Sequence, residues 1–452
     1  MKFGQKSAPA LFILFVGVGI IAVLGPGAVA DYFITRLFVS STLPSNEVVV
    51  WHPWGAQNKE QIEELFREFN RTHSPLKVKS VFASNGAGGA GGSQKFFTSI
   101  AAGKTPDVIF VDSSQVAEWA FQGALEPLDE RIAAAGIRMD DFFKPAWKSC
   151  AYDGRVWALT YCADPNFAFA WNKDVFARAG LDPEQPPRSI DELDRMNDRI
   201  TASVNGKLRT LGLIPWGQFG GANSIFTWGW VFGGDFYDEA NHRITANDPR
   251  IVRALEWMCS YASKYDITRI NSLTAGFGSL DRNPFYIGEM GMTCFHIFQI
   301  SDAGMYAPKL NYGLAPIPYP QGGEPNSSWI GGWCMGLPKG SRRAEAGWEL
   351  IRWICADPEG TLAVGKIMSL FPGYRKSPYF DIVRNDPRYG IYVSIIDQSK
   401  HQRPVMPAVD YYMGALDRAV QFVLYGQKNA KQALDDATFE TQRELDFKLA
   451  GK

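Results

Sequence analysis

Residues 153–187, DGRVWALTYCADPNFAFAWNKDVFARAGLDPEQPP, mark the place where the chain is expected to leave one globular unit and begin a second. Asp153-Gly154 is a tight-turn pair between the apolar segments 149–152 and 156–160, and it predicts a hairpin because glycine accepts a positive φ without steric cost. The pattern is interrupted over 162–165. Residues 166–171 then read as a short apolar strand, and Asn172 is placed to cap a helix over 173–179 that Gly180 stops. Three prolines make 181–187 a loop, and Ser189-Ile190-Asp191-Glu192 opens the next helix as a capping box.

Outward from this stretch, the N-terminal side is a succession of strand and helix. Residues 48–51 form a buried-type strand, and Ile62, Leu65, Phe66 and Phe69 recur at helical spacing. A second pair follows as strand 76–82 and the helix carrying Phe96, Phe97, Ile100 and Ala101, and a third as strand 107–111 and helix 115–122, with Asp112 as its cap. Three such units predict an α/β fold with a mostly parallel sheet covered by helices on both faces. Ligands of such sheets sit beyond the carboxyl ends of the strands, where Trp54 and Asp112 fall.

On the C-terminal side, 211–216 reads as a strand and 220–230 as a helix in which Trp228 and Trp230 are two apart, so at least one is expected to face a cleft or an edge. Residues 250–264 are an amphipathic helix, 285–300 a helix end running into a strand followed by His296, and 311–318 a further strand. A second crossing is expected at 330–337, which contains Gly331-Gly332-Trp333, then a closing helix at 343–356 and terminal helices at 413–425 and 430–449.

With 452 residues the chain calls for two or more domains. Its 46 basic and 47 acidic residues are well mixed, which speaks against a nucleic-acid partner. Lys2 and Lys6 precede an apolar run over 8–24, and Ala28-Val29-Ala30 resembles a cleavage site, so export is expected, with the segment either removed or kept as a membrane anchor. Because no cysteine precedes Cys150, a lipid-modified cysteine is not expected here. The six cysteines lie in apolar runs and read as buried free thiols without a metal-binding spacing.

No catalytic signature is present: HExxH and GxSxG are missing, and the glycine run at 86–92 lacks the Gly-Lys-Ser/Thr ending of a phosphate loop. A glycoside hydrolase would need Asp112 and a second carboxylate such as Asp164 to flank a glycosidic bond. A binding protein needs flat apolar faces and hydroxyl acceptors. Trp54, Trp228, Trp230 and Trp333 supply the first, Asp112 and Asp164 the second, and Gly331 and Gly332 let backbone amides approach a ligand. Arg403 would serve a ligand carrying a phosphate.

The segment WNKDVFARAGLDPEQPPRSIDEL resembles YYNKDLF..AGLDP..PP.TWDEL of the extracellular solute-binding proteins of ABC importers, the group that includes maltose-binding and glycerol-phosphate-binding proteins. The likeness recurs at Gly103-Lys104-Thr105-Pro106-Asp107-Val108, at Asn311-Tyr312-Gly313 with Pro316 and Pro318, at Gly331-Gly332-Trp333, and at Gly426-Gln427-Lys428 with Gln432-Ala433-Leu434, so that it spans nearly all of 47–449. The resemblance implies a periplasmic-binding-protein-like fold of two α/β lobes with mainly parallel central sheets joined by hinge crossings. One lobe would hold 46–161 and 330–375, the other 162–329 and 376–452, behind a signal or anchor with linker at 1–45. It further implies a ligand near Phe82, Asp112, Asp164, His296 and Gly332, closure of the lobes over a sugar, oligosaccharide or polyol, docking on ABC permease subunits, and no cofactor. Trp171, Ser189-Ile190 and Cys162 depart from the family pattern. A membrane-anchored sensor or scaffold that kept the binding fold is the other reading the resemblance leaves open.

Overall fold

The structure is a computed structural model that describes residues 46–55, 58–83, 90–217, 219–275 and 282–451. The apolar run 8–24, the candidate cleavage site and most of the glycine run at 86–92 lie outside the described residues. No helix among the described residues is long and apolar enough to cross a membrane.

Eight strands make the two larger sheets: β1 Glu47–His52, β2 Lys77–Phe82, β3 Val108–Asp112, β4 Ala158–Asn166, β5 Ala168–Asn172, β6 Met292–Phe295, β7 Tyr312–Ala315 and β8 Trp329–Gly336. The helices that matter here are α1 Lys59–Thr72, α2 Ala90–Ala101, α3 Val116–Phe121, α4 Gly220–Val231, α5 Pro249–Tyr265, α6 Ala344–Ala356, α7 Val409–Leu424 and α8 Ala430–Ala450. The five-stranded sheet runs β2-β1-β3-β8-β4 and the three-stranded sheet β6-β5-β7. In the first, β1 and β3 are parallel, and β8 is antiparallel to both β3 and β4, so β1, β3 and β4 point one way and β8 returns against them. In the second, β5 runs antiparallel to both neighbours, which therefore share a direction.

Burial follows the sequence pattern. Strand β1 alternates, with Val48, Val50 and His52 inside, whereas β3 is a continuous apolar run that is buried through Val111, as a strand covered on both faces should be. Helix α1 turns Ile62, Leu65, Phe66 and Phe69 inward, each contributing about 2 kcal/mol of burial. One apolar core joins α1 and α6 to the larger sheet, and another gathers α4, α5, α7 and α8 around β5.

The opening stretch folds much as its residues dictate, with one change. Asp153 and Gly154 both take positive φ, 54° and 72°, in the two-residue turn that joins Ala151–Tyr152 to Arg155–Val156. Asn172 accepts hydrogen bonds from the amides of Asp174 and Val175, and Ser189 from that of Glu192, as caps. The expected interruption at 162–165 does not occur: β4 continues to Asn166, all nine residues buried. Residues 162–165 pair in register with β8, and a bulge opposite the Trp333–Cys334 step falls just before them at Tyr161. The change of sheet falls on the single residue Phe167, whose φ of 134° turns the corner. Trp171 finds room because Gly313 stands opposite it on β7, where a Cβ would lie 2.1 Å from the indole.

The expected strand at 211–216 reduces to one parallel bridge between Leu211 and Met290. Side chains take the backbone groups that a ladder would have used: Gly212 N–H donates to Thr201 Oγ1 (3.1 Å) and Leu213 N–H to Asn197 Oδ1 (2.8 Å). All six cysteines are buried.

Candidate functional site

The centre of the site is the first half of β8. Antiparallel pairing sets Trp333 opposite Asp112 on one neighbour, β3, and Gly331 opposite Asp164 on the other, β4. Between them Gly332 has φ of 113°, and a Cβ there would lie 2.1 Å from the carbonyl oxygen of Cys162, so only glycine fits. The Gly332 carbonyl accepts from Ser113 N–H at 3.0 Å, which ties β8 to the loop after β3. Trp54, from the loop after β1, packs 5.6 Å from Trp333 and against Phe110 and Tyr161. His52 links Trp54 to Phe82 at the end of β2, and the Phe82 ring is half exposed.

Arg403 reaches this platform from far along the chain. Residue 401 runs beside the start of β8, where Ile330 N–H donates to the His401 carbonyl (2.8 Å), and this lays the Arg403 guanidinium 5.4 Å over the Trp329 ring. Its Nη2 then donates to Asp112 Oδ1 at 2.6 Å, with side chains only 10% and 16% exposed. The same Asp112 oxygen accepts from the amide and hydroxyl of Ser114. Asp112 therefore closes a turn before α3, whose first residues carry no side-chain cap, and the helix-cap expectation is replaced by an ion pair.

Asp164 is the more unusual carboxyl. It is 8% exposed, and its Oδ1 has no hydrogen-bond partner. Burial pushes its pKa up to about 7, with Asp112 adding to the rise and the Cys162 thiol and Arg403 opposing it. His296, at the end of β6, accepts from Phe298 N–H through Nδ1 (3.3 Å), which leaves the proton on Nε2, 3.9 Å from Asp164 Oδ2. Burial lowers the His296 pKa to about 3, so the ring is neutral at pH 7.

Around His296 stand two aromatic rings that the sequence reading missed. Phe219 lies 5.4 Å from it and is 47% exposed; Phe298 lies 4.2 Å from it and is 37% exposed. Phe219 adopts a left-handed φ of 54° immediately before α4. A signal for it was present: a lone aromatic with Gly217 before it and Gly220-Gly221 after it belongs to no apolar period.

Trp54, Phe82, Asp112, Asp164, His296, Gly332, Trp333 and Arg403 are thus linked, directly or through one neighbour, around β8. Trp228 is not among them: it is fully buried, donates through Nε1 to the Pro215 carbonyl (2.8 Å) and packs edge-on to Trp257. Trp230 lies one layer behind, stacked on His401 and 5.8 Å from Trp329, and is 1% exposed. The expectation that one of the pair faces a cleft or an edge fails because α4 is buried on every side, between α5 and α7.

Comparison with known proteins agrees with this architecture. The sequence profile of the family described as bacterial extracellular solute-binding protein matches residues 55–359, more than half of the chain. The sn-glycerol-3-phosphate-binding periplasmic protein UgpB of Yersinia enterocolitica is 24% identical over 316 residues, 67% of this chain and 69% of that protein. UgpB of Salmonella typhimurium is 25% identical over 318 residues, 66% and 68% of the two chains. Among solved structures, CpMnBP1 with mannobiose bound superposes with a TM-score of 0.77 at 28% identity, covering 87% of this chain and 99% of that one. The GacH receptor of Streptomyces glaucescens shares the fold, with a TM-score of 0.74 at 22% identity and coverage of 89% and 99%. The chain belongs to the bacterial extracellular solute-binding proteins.

Proposed function

We propose that the chain binds an uncharged sugar or oligosaccharide between two lobes built on the two sheets, closes over it by hinge motion, and delivers it to the transmembrane subunits of an ABC importer. The crossings would be Phe167 and the start of β8, and residues 8–24 would serve as an export signal or hold the protein on the outer face of the membrane. The observation that carries this reading is the β8 platform, where Gly331-Gly332-Trp333 is flanked by Asp112 and Asp164. Aromatic faces at Trp333, Phe219 and Phe298, with Trp54 packed behind Trp333, suit the apolar faces of sugar rings, and the free Asp164 Oδ1 suits a hydroxyl donor.

Charge balance supports an uncharged ligand over a phosphorylated one. Arg403, the cation of the site, is already neutralised at 2.6 Å by Asp112, and the neutral His296 adds no positive charge. A phosphate would have to take Arg403 from Asp112 and leave that carboxylate unpaired beside Asp164. A ligand touching both lobes binds the closed form better, and that difference in affinity is all that closure requires.

The test is a thermal-shift series on the full chain with mannobiose, maltose, sn-glycerol 3-phosphate and a peptide. A ligand at 100 times its Kd adds about 2.7 kcal/mol. The expected result is a raised midpoint with a neutral disaccharide that disappears in Asp164→Ala. A response to glycerol phosphate alone would overturn the uncharged-ligand reading, and no response to any compound would overturn the carbohydrate reading as a whole.

A further inference from the structure

A second group of charges lies beside the platform, where the Asp410 carboxyl feels Asp112 and Arg403. Glu118, on α3 beside the larger sheet, is 7% exposed. Both of its carboxylate oxygens are met by groups from the C-terminal segment that packs with the other core. Lys448 Nζ, on α8, lies 2.8 Å from Oε1, and Asp410 N–H, at the start of α7, donates to Oε2 at 3.2 Å. Gln122 of its own helix also donates to Oε1, at 3.3 Å. Lys448 donates in addition to the Pro407 carbonyl at 2.8 Å and has Glu444 at 3.8 Å. The Asp410 carboxylate in turn accepts from Gln115 Nε2 at 3.0 and 3.2 Å, one residue before α3.

The two sides of this group belong to separate apolar cores, one on the larger sheet and one around α4 and α5. Val116 and Trp119 of α3 pack with Ile109 and Val111 of β3, whereas Met406, Val409 and Leu445 pack with α4 and α5. Three hydrogen-bonded contacts, Glu118 to Lys448, Glu118 to Asp410 and Gln115 to Asp410, therefore join one core to the other, in line with the Arg403–Asp112 pair. Polar contacts of this kind can part and be hydrated, which an apolar seam cannot do without large cost.

We propose that Glu118, Asp410 and Lys448 form a closure latch that sets ligand affinity without touching ligand. The inference rests on the two-lobe reading above. While the contact is made, Glu118 is paired with Lys448 and the Asp410 carboxylate is hydrogen-bonded by Gln115; removing Lys448 or Glu118 strands its partner, and parting the two sides is then the route by which that partner regains water. Loss of the latch lowers the fraction of closed molecules before any ligand arrives, and apparent affinity falls by the same factor.

The experiment measures distances by pulsed electron spin resonance on the full chain. Nitroxides are placed at Glu130→Cys, exposed nine residues beyond α3, and Glu256→Cys, exposed on α5; the native cysteines are buried. Lys448→Met and Glu118→Gln are each expected to move the ligand-free distribution to longer distances, and the double variant no further than either single one. Lys431→Met, which breaks a surface pair with Asp435 whose side chains are 66% and 40% exposed, should leave it unchanged. Affinity for mannobiose should fall roughly tenfold in the latch variants. If mannobiose shifts the parent protein but folded latch variants match the parent without sugar, the latch is wrong and hinge closure stands. If every sample gives one fixed distance with or without sugar, both are wrong.

Discussion

Trp54 and Trp333 at the end of the larger sheet and Trp228 and Trp230 within α4 are the same side chain in two settings. Of the first pair, Trp54 past the carboxyl end of β1 packs into the core of the larger sheet at 9% exposure, whereas Trp333, on the returning strand β8 where Gly331 and Gly332 leave the surface low, is only partly covered. The second pair belongs to a helix with packed helices on both sides, and both rings are 1% exposed or less. Richness in tryptophan therefore does not locate a binding surface; the layer above the residue does.

The comparison can be tested by substitution. Trp228→Ala should be the most damaging change, about 3–5 kcal/mol in urea denaturation, because it empties a close-packed core position. Trp333→Ala should cost the fold much less but weaken sugar binding by about 1–2 kcal/mol in calorimetry. Equal stability losses at the two positions would end the distinction.

Arg403→Leu comes next, with an expected loss of about 2–3 kcal/mol as the partly buried Asp112 carboxylate loses its cation and keeps only the Ser114 hydrogen bonds. Most of that loss should return in the double variant Arg403→Leu with Asp112→Asn. If it does not, the pair is packing rather than charge.

Asp164→Asn sharpens the contrast between the platform's two carboxyls. With a folded pKa of about 7 against an ordinary 3.8, the native protein holds a proton that the unfolded chain has lost, so wild-type stability falls as pH rises from about 4 to 7. His296 works in the opposite sense: its pKa is lowered to about 3, so its contribution is lost as pH falls from 6.5 toward 3. The variant should be about 2 kcal/mol more stable than the parent at pH 8, and the fall in urea midpoint between pH 4 and 7 that belongs to Asp164 should be missing from it. The smallest effect is expected of Phe219→Ala, about 1 kcal/mol in sugar affinity with an unchanged melting temperature, because the ring is 47% exposed.

Local chemistry was readable where it is local. The Asp153-Gly154 turn, the Asn172 and Ser189 caps and the three strand-helix units follow from residue type and spacing, and the structure has them. The strand expected at 211–216 was misread because Asn197 and Thr201, more than ten residues away, bind its backbone. Residues 162–165 do not break the strand because each pairs with β8 in register, the bulge falling just before them at Tyr161. Phe219 and Phe298 escaped notice because period-based reading ranks residues by pattern, and both lie in turns beside a helix start.

By itself, the sequence determined the α/β class, the family and the identity of most polar groups around β8, since these depend on spacing and on side-chain chemistry that does not change with context. Only the tertiary structure decided which tryptophans are open, that Asp112 is spoken for by Arg403, and that Asp164 is not. Those depend on burial and on partners brought from as far as 291 residues along the chain, and no local pattern carries either.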